Sequence, residues 1–245
     1  MGLRPTWVRA PGTFAITVNG QEQYISRGCS PNNSHLGSSL AKDKHLTRLI
    51  LARYNFLNIP FIKPKTLGEA AAFLGIHQKI IAKPVCGAGS EDIHIVTKSS
   101  QLQELVITKY ILEQYIAGRE IRYLILDDKV IGVHRSEYGT SVDAHRPLRR
   151  ISYPKAVWDQ ALVDQSLEVA RILQLSFAAV DFMIDDAGRT YILEVNTMPG
   201  MKWFHAPSSG PRVDVARLFL ESIIDTPNMP SDERALGVQE LSAYS

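Results

Sequence analysis

The segment that most constrains this chain lies in its C-terminal third. It reads Ala178-Ala179-Val180-Asp181-Phe182-Met183-Ile184, then Asp185-Asp186-Ala187-Gly188, then Thr190-Tyr191-Ile192-Leu193-Glu194-Val195-Asn196. Two apolar runs around a turn of this composition form an antiparallel hairpin. Residues two apart on a strand share a face, so Glu194 and Asn196 point together, and pairing across the turn can bring Asp181 beside them. These are oxygen donors only, without thiol or imidazole, a set that suits Mg²⁺ with its preference for a carboxylate or two, water and substrate phosphate. The plainer alternative is a solvated hairpin with ordinary surface carboxylates. Against it, both acids are embedded in apolar runs, where an unpaired charge is unfavourable.

A chain of 245 residues is one large domain or two small lobes sharing a core. Hydrophobic residues at 45% and charged residues at 21% exclude collagen-like, disordered and disulfide-scaffold classes. A formal charge of +2 is too small for a broad nucleic-acid footprint, so no nucleic-acid partner is expected and phosphate recognition must be local. The basic run at 146–150 then reads as a solvated loop or a phosphate clamp. Cys29 and Cys86 stand far apart with no CxxC partner, which suggests neither zinc nor a disulfide framework and fits a reducing cytoplasm. No apolar run approaches the ~18 residues of a membrane span, and residues 1–20 lack a secretory pattern.

The pattern along the chain alternates short strands and helices. Phe14, Ile16 and Val18 alternate with small and polar residues before an Asn19-Gly20 turn, predicting an opening hairpin through Ile25. Asp43 caps a helix to about Tyr54, with Leu46, Leu49, Ile50 and Arg53 at helical spacing. Thr66 caps a second helix to about Leu74, followed by strands over 80–85 and 92–96 and a short helix over 101–105. Strands are predicted over 110–116, 121–126 and 130–133, a polar loop over 134–150, a long helix over 155–173, strands over 178–184 and 190–195, and a last helix over 213–224. The polar, proline-containing stretch 226–245 reads as a tail.

Two further segments carry chemistry. In Lys83-Pro84-Val85-Cys86-Gly87-Ala88-Gly89-Ser90 a lysine ends an apolar strand and small residues follow, so backbone N–H groups can approach a polyphosphate. A plain glycine hairpin explains this stretch about as well. In Leu112-Glu113-Gln114-Tyr115-Ile116-Ala117-Gly118-Arg119-Glu120 an extended backbone could pair an adenine edge and a carboxylate could accept from ribose, although an exposed edge strand is the simpler account of the segment alone.

In this order and spacing the three segments resemble the ATP-grasp fold, and within it the carboxylate–amine ligases: D-alanine–D-alanine ligase, cyanophycin synthetase, ribosomal-protein glutamate ligase and the ligase domain of bifunctional glutathione synthetase. The likeness runs over about 14–224. It implies an α+β fold of two lobes with ATP between antiparallel sheets, divided as an opening hairpin and loop (1–40), an N-terminal lobe (41–112), a C-terminal lobe with the metal site (113–225) and a tail (226–245). It also implies roles. Lys44, in Asp43-Lys44-His45-Leu46-Thr47, and Lys83 would contact ATP phosphates. Gly87, Ala88, Gly89 and Ser90 would form a flap over the β- and γ-phosphates. Glu113, Gln114, Tyr115 and Ile116 would read adenine, and Glu120 would hold ribose. Asp181, Glu194 and Asn196 would ligate Mg²⁺ or Mn²⁺, and Arg122, Arg135, Arg149 and Arg150 are the candidates for γ-phosphate and acyl-phosphate contacts.

The implied activity is ADP-forming ligation of a carboxylate to an amine through an acyl phosphate, on amino acid or peptide substrates. The alternative is an ATP-binding subunit or sensor without turnover of its own. Two departures from the resemblance matter. Only about forty residues precede Lys44, so a full N-terminal substrate-binding domain is not expected in this sequence, leaving the pocket open, completed by a second subunit of the same or another chain, or shaped for a bulky peptide. Ala179 stands where D-alanine–D-alanine ligases carry an arginine, and Met201-Lys202-Trp203-Phe204-His205 follows Pro199-Gly200, which argues against dipeptide cell-wall synthesis.

Overall fold

The protein is described by a computed structural model covering residues 5–8, 12–18, 20–87, 92–138 and 147–225. The opening hairpin forms a three-stranded antiparallel sheet of β1 (Thr6–Trp7), β2 (Thr13–Val18) and β3 (Gln21–Ser26), whose Ile16, Val18 and Ile25 are buried. Two helices follow without a loop, α1 (His35–Lys42) and α2 (Lys44–Arg53). Asp43 ends the first and begins the second, its carboxylate accepting from the Leu46 N–H at 2.9 Å, as an N-cap should. The expected apolar face of α2 is corrected by the structure: Leu46 and Leu49 are 40% and 47% exposed, while Thr47, Arg48 and Leu51 are buried. The helix is rotated by its first turn. Lys44 N–H donates to Val85 O at 2.9 Å and the Thr47 hydroxyl to Leu40 O at 3.1 Å, which turns the polar stripe of Lys44, Thr47 and Arg48 inward.

The smaller lobe then runs through β4 (Phe61–Ile62), α3 (Leu67–His77), β5 (Ile80–Pro84), β6 (His94–Val96), α4 (Ser99–Gln103) and β7 (Tyr110–Gln114). Its four strands lie in the order β4-β7-β5-β6, all antiparallel. Strand alternation divides it cleanly. Ile80, Ala82 and Leu112 bury against Ala70, Phe73 and Leu74 of α3, whereas Lys83 and Glu113 project from the opposite face toward α2.

The larger sheet comprises β8 (Arg119–Leu126), β9 (Lys129–Glu137), β10 (Arg149–Ser152), β11 (Phe177–Ile184) and β12 (Thr190–Asn196), antiparallel in the order β10-β9-β8-β11-β12. Between β10 and β11 a 3₁₀ turn at Lys155–Val157 precedes α5 (Gln160–Ile172). The helix starts later than its periodicity suggests because Asp159, accepting from Ala161 N–H and Leu162 N–H, caps it there. One face of this sheet, with Tyr123, Val133, Val180, Phe182 and Val195, packs on Leu162 and Val169 of α5. On the other face the half containing Leu124, Leu126, Phe177 and Ala179 is covered by β2, β3 and the last two helices, α6 (Lys202–His205) and α7 (Val215–Asp225). The remaining half of that face is polar.

Hinge residues 115–118 join the two sheets. Here the absence of a side chain is required: a Cβ on Gly118 would lie 2.2 Å from Ile184 O.

Candidate nucleotide and metal site

Register places one row of polar side chains across the larger sheet. Arg122 of β8 pairs with Asp181 of β11 on one side and His134 of β9 on the other; Asp181 pairs with Glu194 of β12, and Ser136 of β9 with Arg150 of β10. Glu120, Arg122, His134, Arg150, Asp181, Glu194 and Asn196 therefore share a face. Arg122 grips Asp181 bidentately, Nε to Oδ1 at 2.5 Å and Nη2 to Oδ2 at 2.6 Å, and Asn196 Nδ2 donates to Asp181 Oδ2 at 3.0 Å. Although burial opposes charge on Arg122, Asp181, Glu120 and Glu194 together push its pKa up, so the guanidinium is a permanent cation.

His134 sits at the other end of this row, fully buried, with Nε2 3.2 Å from Arg150 Nη1 and its ring 4.6 Å from that of Phe204. Burial, then the charges of Arg122 and Arg150, drive its pKa down to about 2, so it is a neutral acceptor. Among the described residues Arg150 has no carboxylate within ion-pairing distance; its guanidinium lies 5.6 Å from the Trp203 ring. Glu120 accepts from Ser136 Oγ at 3.1 Å and from Tyr138 Oη, and burial together with the Asp181 charge raises its pKa.

The two remaining arginines of the sequence reading are not brought to this face. Arg135 and Arg149 alternate with His134 and Arg150 and so project from the opposite side, where both approach the Glu137 carboxylate. The reason is that β9 and β10 continue as regular strands to Glu137 and from Arg149, where a loop was expected, so side chains alternate strictly there.

From α2 Lys44 reaches the same cleft. Its ammonium donates to Gly87 O at 3.0 Å and lies 3.8 Å from Glu194 Oε1. Lys83 and Glu113 lie deeper. Glu113 is 1% exposed, its two oxygens held by Arg48 Nε at 2.8 Å and Lys83 Nζ at 2.7 Å. Burial alone would raise the Glu113 pKa, but Arg48 and Lys83 hold it down to about 2. Beyond it, Gln114 N–H donates to Pro60 O and Tyr115 N–H to Lys79 O, and the Lys79 ammonium lies 3.6 Å from the centre of the Tyr115 ring. Ile116 follows in the hinge and is partly buried. Ala88, Gly89 and Ser90 lie outside the described residues.

Arg48 is the residue that sequence reasoning missed. It follows Lys44 by four positions, which places both on one helical face, a spacing that could have drawn attention to it.

Among the described residues no group of three or more His, Cys, Asp or Glu side chains is placed to hold a metal. The candidate set is instead two carboxylates and an amide. Its chemistry fits a hard divalent cation: all donors are oxygen, they share a face, and among the described residues the ion-pair partner of Glu194 within 4 Å is the Lys44 ammonium at 3.8 Å.

A family model described as an ATP-grasp domain matches residues 41–200. The chain belongs to the ATP-grasp family. Among curated relatives, D-alanine–D-alanine ligase B of Clostridium perfringens is 28% identical over 186 residues, 68% of this chain and 60% of that protein. The D-alanine–D-alanine ligase of Pelobacter propionicus is 28% identical over 183 residues, 68% of this chain and 59% of its own length. The chain thus spans about three fifths of the length of these relatives. Among solved structures, ATP-grasp ligase PsnB complexed with a minimal precursor superposes with a TM-score of 0.65 at 17% identity, covering 79% of this chain and 62% of that one. The bifunctional glutathione synthetase of Pasteurella multocida gives 0.65 at 11% identity over 91% of this chain and 42% of that one. These likenesses establish the ATP-grasp fold, with its antiparallel sheets.

Against the D-alanine–D-alanine ligase pattern, Ala179 is fully buried in the apolar half of the sheet face. The guanidinium beside Asp181 comes from the neighbouring strand, as Arg122.

Proposed function

We propose that this ATP-grasp protein is an ADP-forming carboxylate–amine ligase acting on amino acid or peptide substrates. The observation that carries this reading is the convergence on one cleft of Lys44, the Asp181–Glu194–Asn196 oxygen set and the Arg122–Arg150 pair. In this reading Lys44 and Lys83 bind the phosphates, residues 113–116 at the end of β7 and the start of the hinge meet the base, and Glu120 meets the ribose. Asp181, Glu194 and Asn196 would hold Mg²⁺, which when bound neutralises phosphate oxygens during transfer.

The substrate carboxylate attacks the γ-phosphorus, the bond to the β-bridging oxygen breaks, and ADP leaves an acyl phosphate. Arg150, a cation without a carboxylate partner among the described residues, orients the incoming carboxylate and then the acyl phosphate. The amine attacks the acyl carbon, its proton is lost, and inorganic phosphate departs as the amide forms. Arg122 and Arg150 stabilise the oxyanion at that step. Neutral His134 keeps the Arg150 guanidinium in place without adding charge. That PsnB and the macrocyclase MdnC of Microcystis aeruginosa were solved with precursor peptides supports peptides as one substrate class.

The test offers purified protein ATP, Mg²⁺ and mixtures of amino acids and peptides. ADP and phosphate release, with a product mass equal to two substrates minus water, is expected, and Glu194→Gln should lower the rate at least about 100-fold. Nucleotide binding with no acceptor-stimulated turnover would overturn the ligase reading in favour of a nucleotide-binding subunit.

A further inference from the structure

The hairpin that carries the candidate metal ligands is irregular at one residue. On the turn side Phe182 pairs with Ile192, but beyond it Asp181 pairs with Glu194, so Leu193 is an extra residue on β12. Opposed residues in an antiparallel ladder share a face. Without the extra residue Glu194 would oppose Val180, whose side chain is buried in the core beneath α5. The bulge therefore decides whether Glu194 and Asn196 stand beside Asp181 or are turned toward that core.

A bulge leaves carbonyls without ladder partners, and β12 is also an edge strand. The groups that satisfy it come from the region around α2. Arg48 is 3% exposed; its Nη1 donates to Ile192 O, its Nη2 to Leu193 O at 2.9 Å and its Nε to Glu113 Oε1 at 2.8 Å. Asn58 forms a bridge with Ile192 and donates through Nδ2 to Arg48 O at 2.9 Å. A planar fork with parallel donors can span two adjacent carbonyls, which a single ammonium cannot. The charge that comes with the fork is balanced by Glu113.

We infer that Arg48 is a positioning residue for the metal-binding end of β12: its fork fixes the Leu193 bulge and thereby the common face of Asp181, Glu194 and Asn196. This rests on the proposed role of those three residues as metal ligands. It also gives the smaller lobe a direct hold on the metal strand, since the guanidinium that fixes the bulge is the one bound to the Glu113–Lys83 pair.

The experiment measures Mn²⁺ affinity by electron paramagnetic resonance at saturating ADP, alongside ADP affinity without metal. Arg48→Lys keeps a cation opposite Glu113 and removes the fork. Mn²⁺ affinity is expected to fall roughly tenfold, the loss of one charge-assisted hydrogen bond, with metal-free ADP affinity within about twofold of wild type. A folded Arg48→Lys protein with wild-type Mn²⁺ affinity overturns the inference, as does an equal loss of both affinities, which marks a general structural role. Should Arg48→Lys fail to fold, Arg48→Gln, which removes the fork and leaves Glu113 paired with Lys83, is read the same way. Absence of ADP-dependent Mn²⁺ binding in the wild type would instead overturn the metal site itself, and the inference with it.

Discussion

Replacing Glu113 with Gln tests the electrostatics of the buried cluster. In the folded protein this carboxylate sits between Arg48 and Lys83 and its pKa is lowered from the usual 4.5 to about 2, so its ionised form contributes about 3 kcal/mol to stability at neutral pH. A second route gives the same scale: removing one partner of a buried ion pair costs about 3–5 kcal/mol, because the partners left behind remain charged. The folded value is the lower one, so the contribution is complete above the unfolded pKa and disappears as pH falls through the folded one. Urea denaturation of wild type and Glu113→Gln should therefore differ by about 3 kcal/mol at pH 7, with under half of that remaining near pH 3. A gap that stays constant from pH 7 to pH 3, or a gap below about 1 kcal/mol at pH 7, would refute the reasoning.

Other outcomes follow from single contacts. Arg122→Met leaves Asp181 buried without its bidentate partner and should reduce turnover at least about 100-fold, with a lower denaturation midpoint, in steady-state and urea assays. Gly118→Ala places a methyl 2.2 Å from Ile184 O and should destabilise the protein by about 2 kcal/mol or more, seen by calorimetry. The His134 ring, its folded pKa far below 6.5, should show no NMR titration between pH 8 and 5. Its neutral form stabilises the fold fully above pH 6.5, and each unit of acidification below that should remove about 1.4 kcal/mol, a slope that His134→Gln should flatten.

What the sequence made legible was local. The Asp185–Gly188 turn and the alternation on either side predict the hairpin, and the structure pairs Asp181 with Glu194 there. The bulge that permits this pairing leaves no signature in composition, because Leu193 is one apolar residue in an apolar run. The orientation of α2 was hidden for a related reason: Leu46 and Leu49 satisfy helical periodicity, but contacts remote in sequence, from Lys44 to Val85 and from Arg48 to Glu113 and Leu193, decide which stripe is buried. The arginines around 135–150 illustrate the opposite case. Reading this stretch as a loop grouped Arg135 and Arg149 with Arg150 by proximity, whereas extending the strand pattern to Glu137 separates them by parity alone.

The inner face of the larger sheet changes character along its length, from Glu120 and Arg122 to Leu124 and Leu126 on β8, and from Asp181 to Ala179 and Phe177 on β11. The same strands thus serve as socket at one end and anvil at the other. Splaying them to admit a ligand would open the apolar half beneath β2, β3 and α7, so the charged groups keep their spacing before anything binds. Reorganisation that a flexible site would undergo on each encounter is completed here once, when the chain folds.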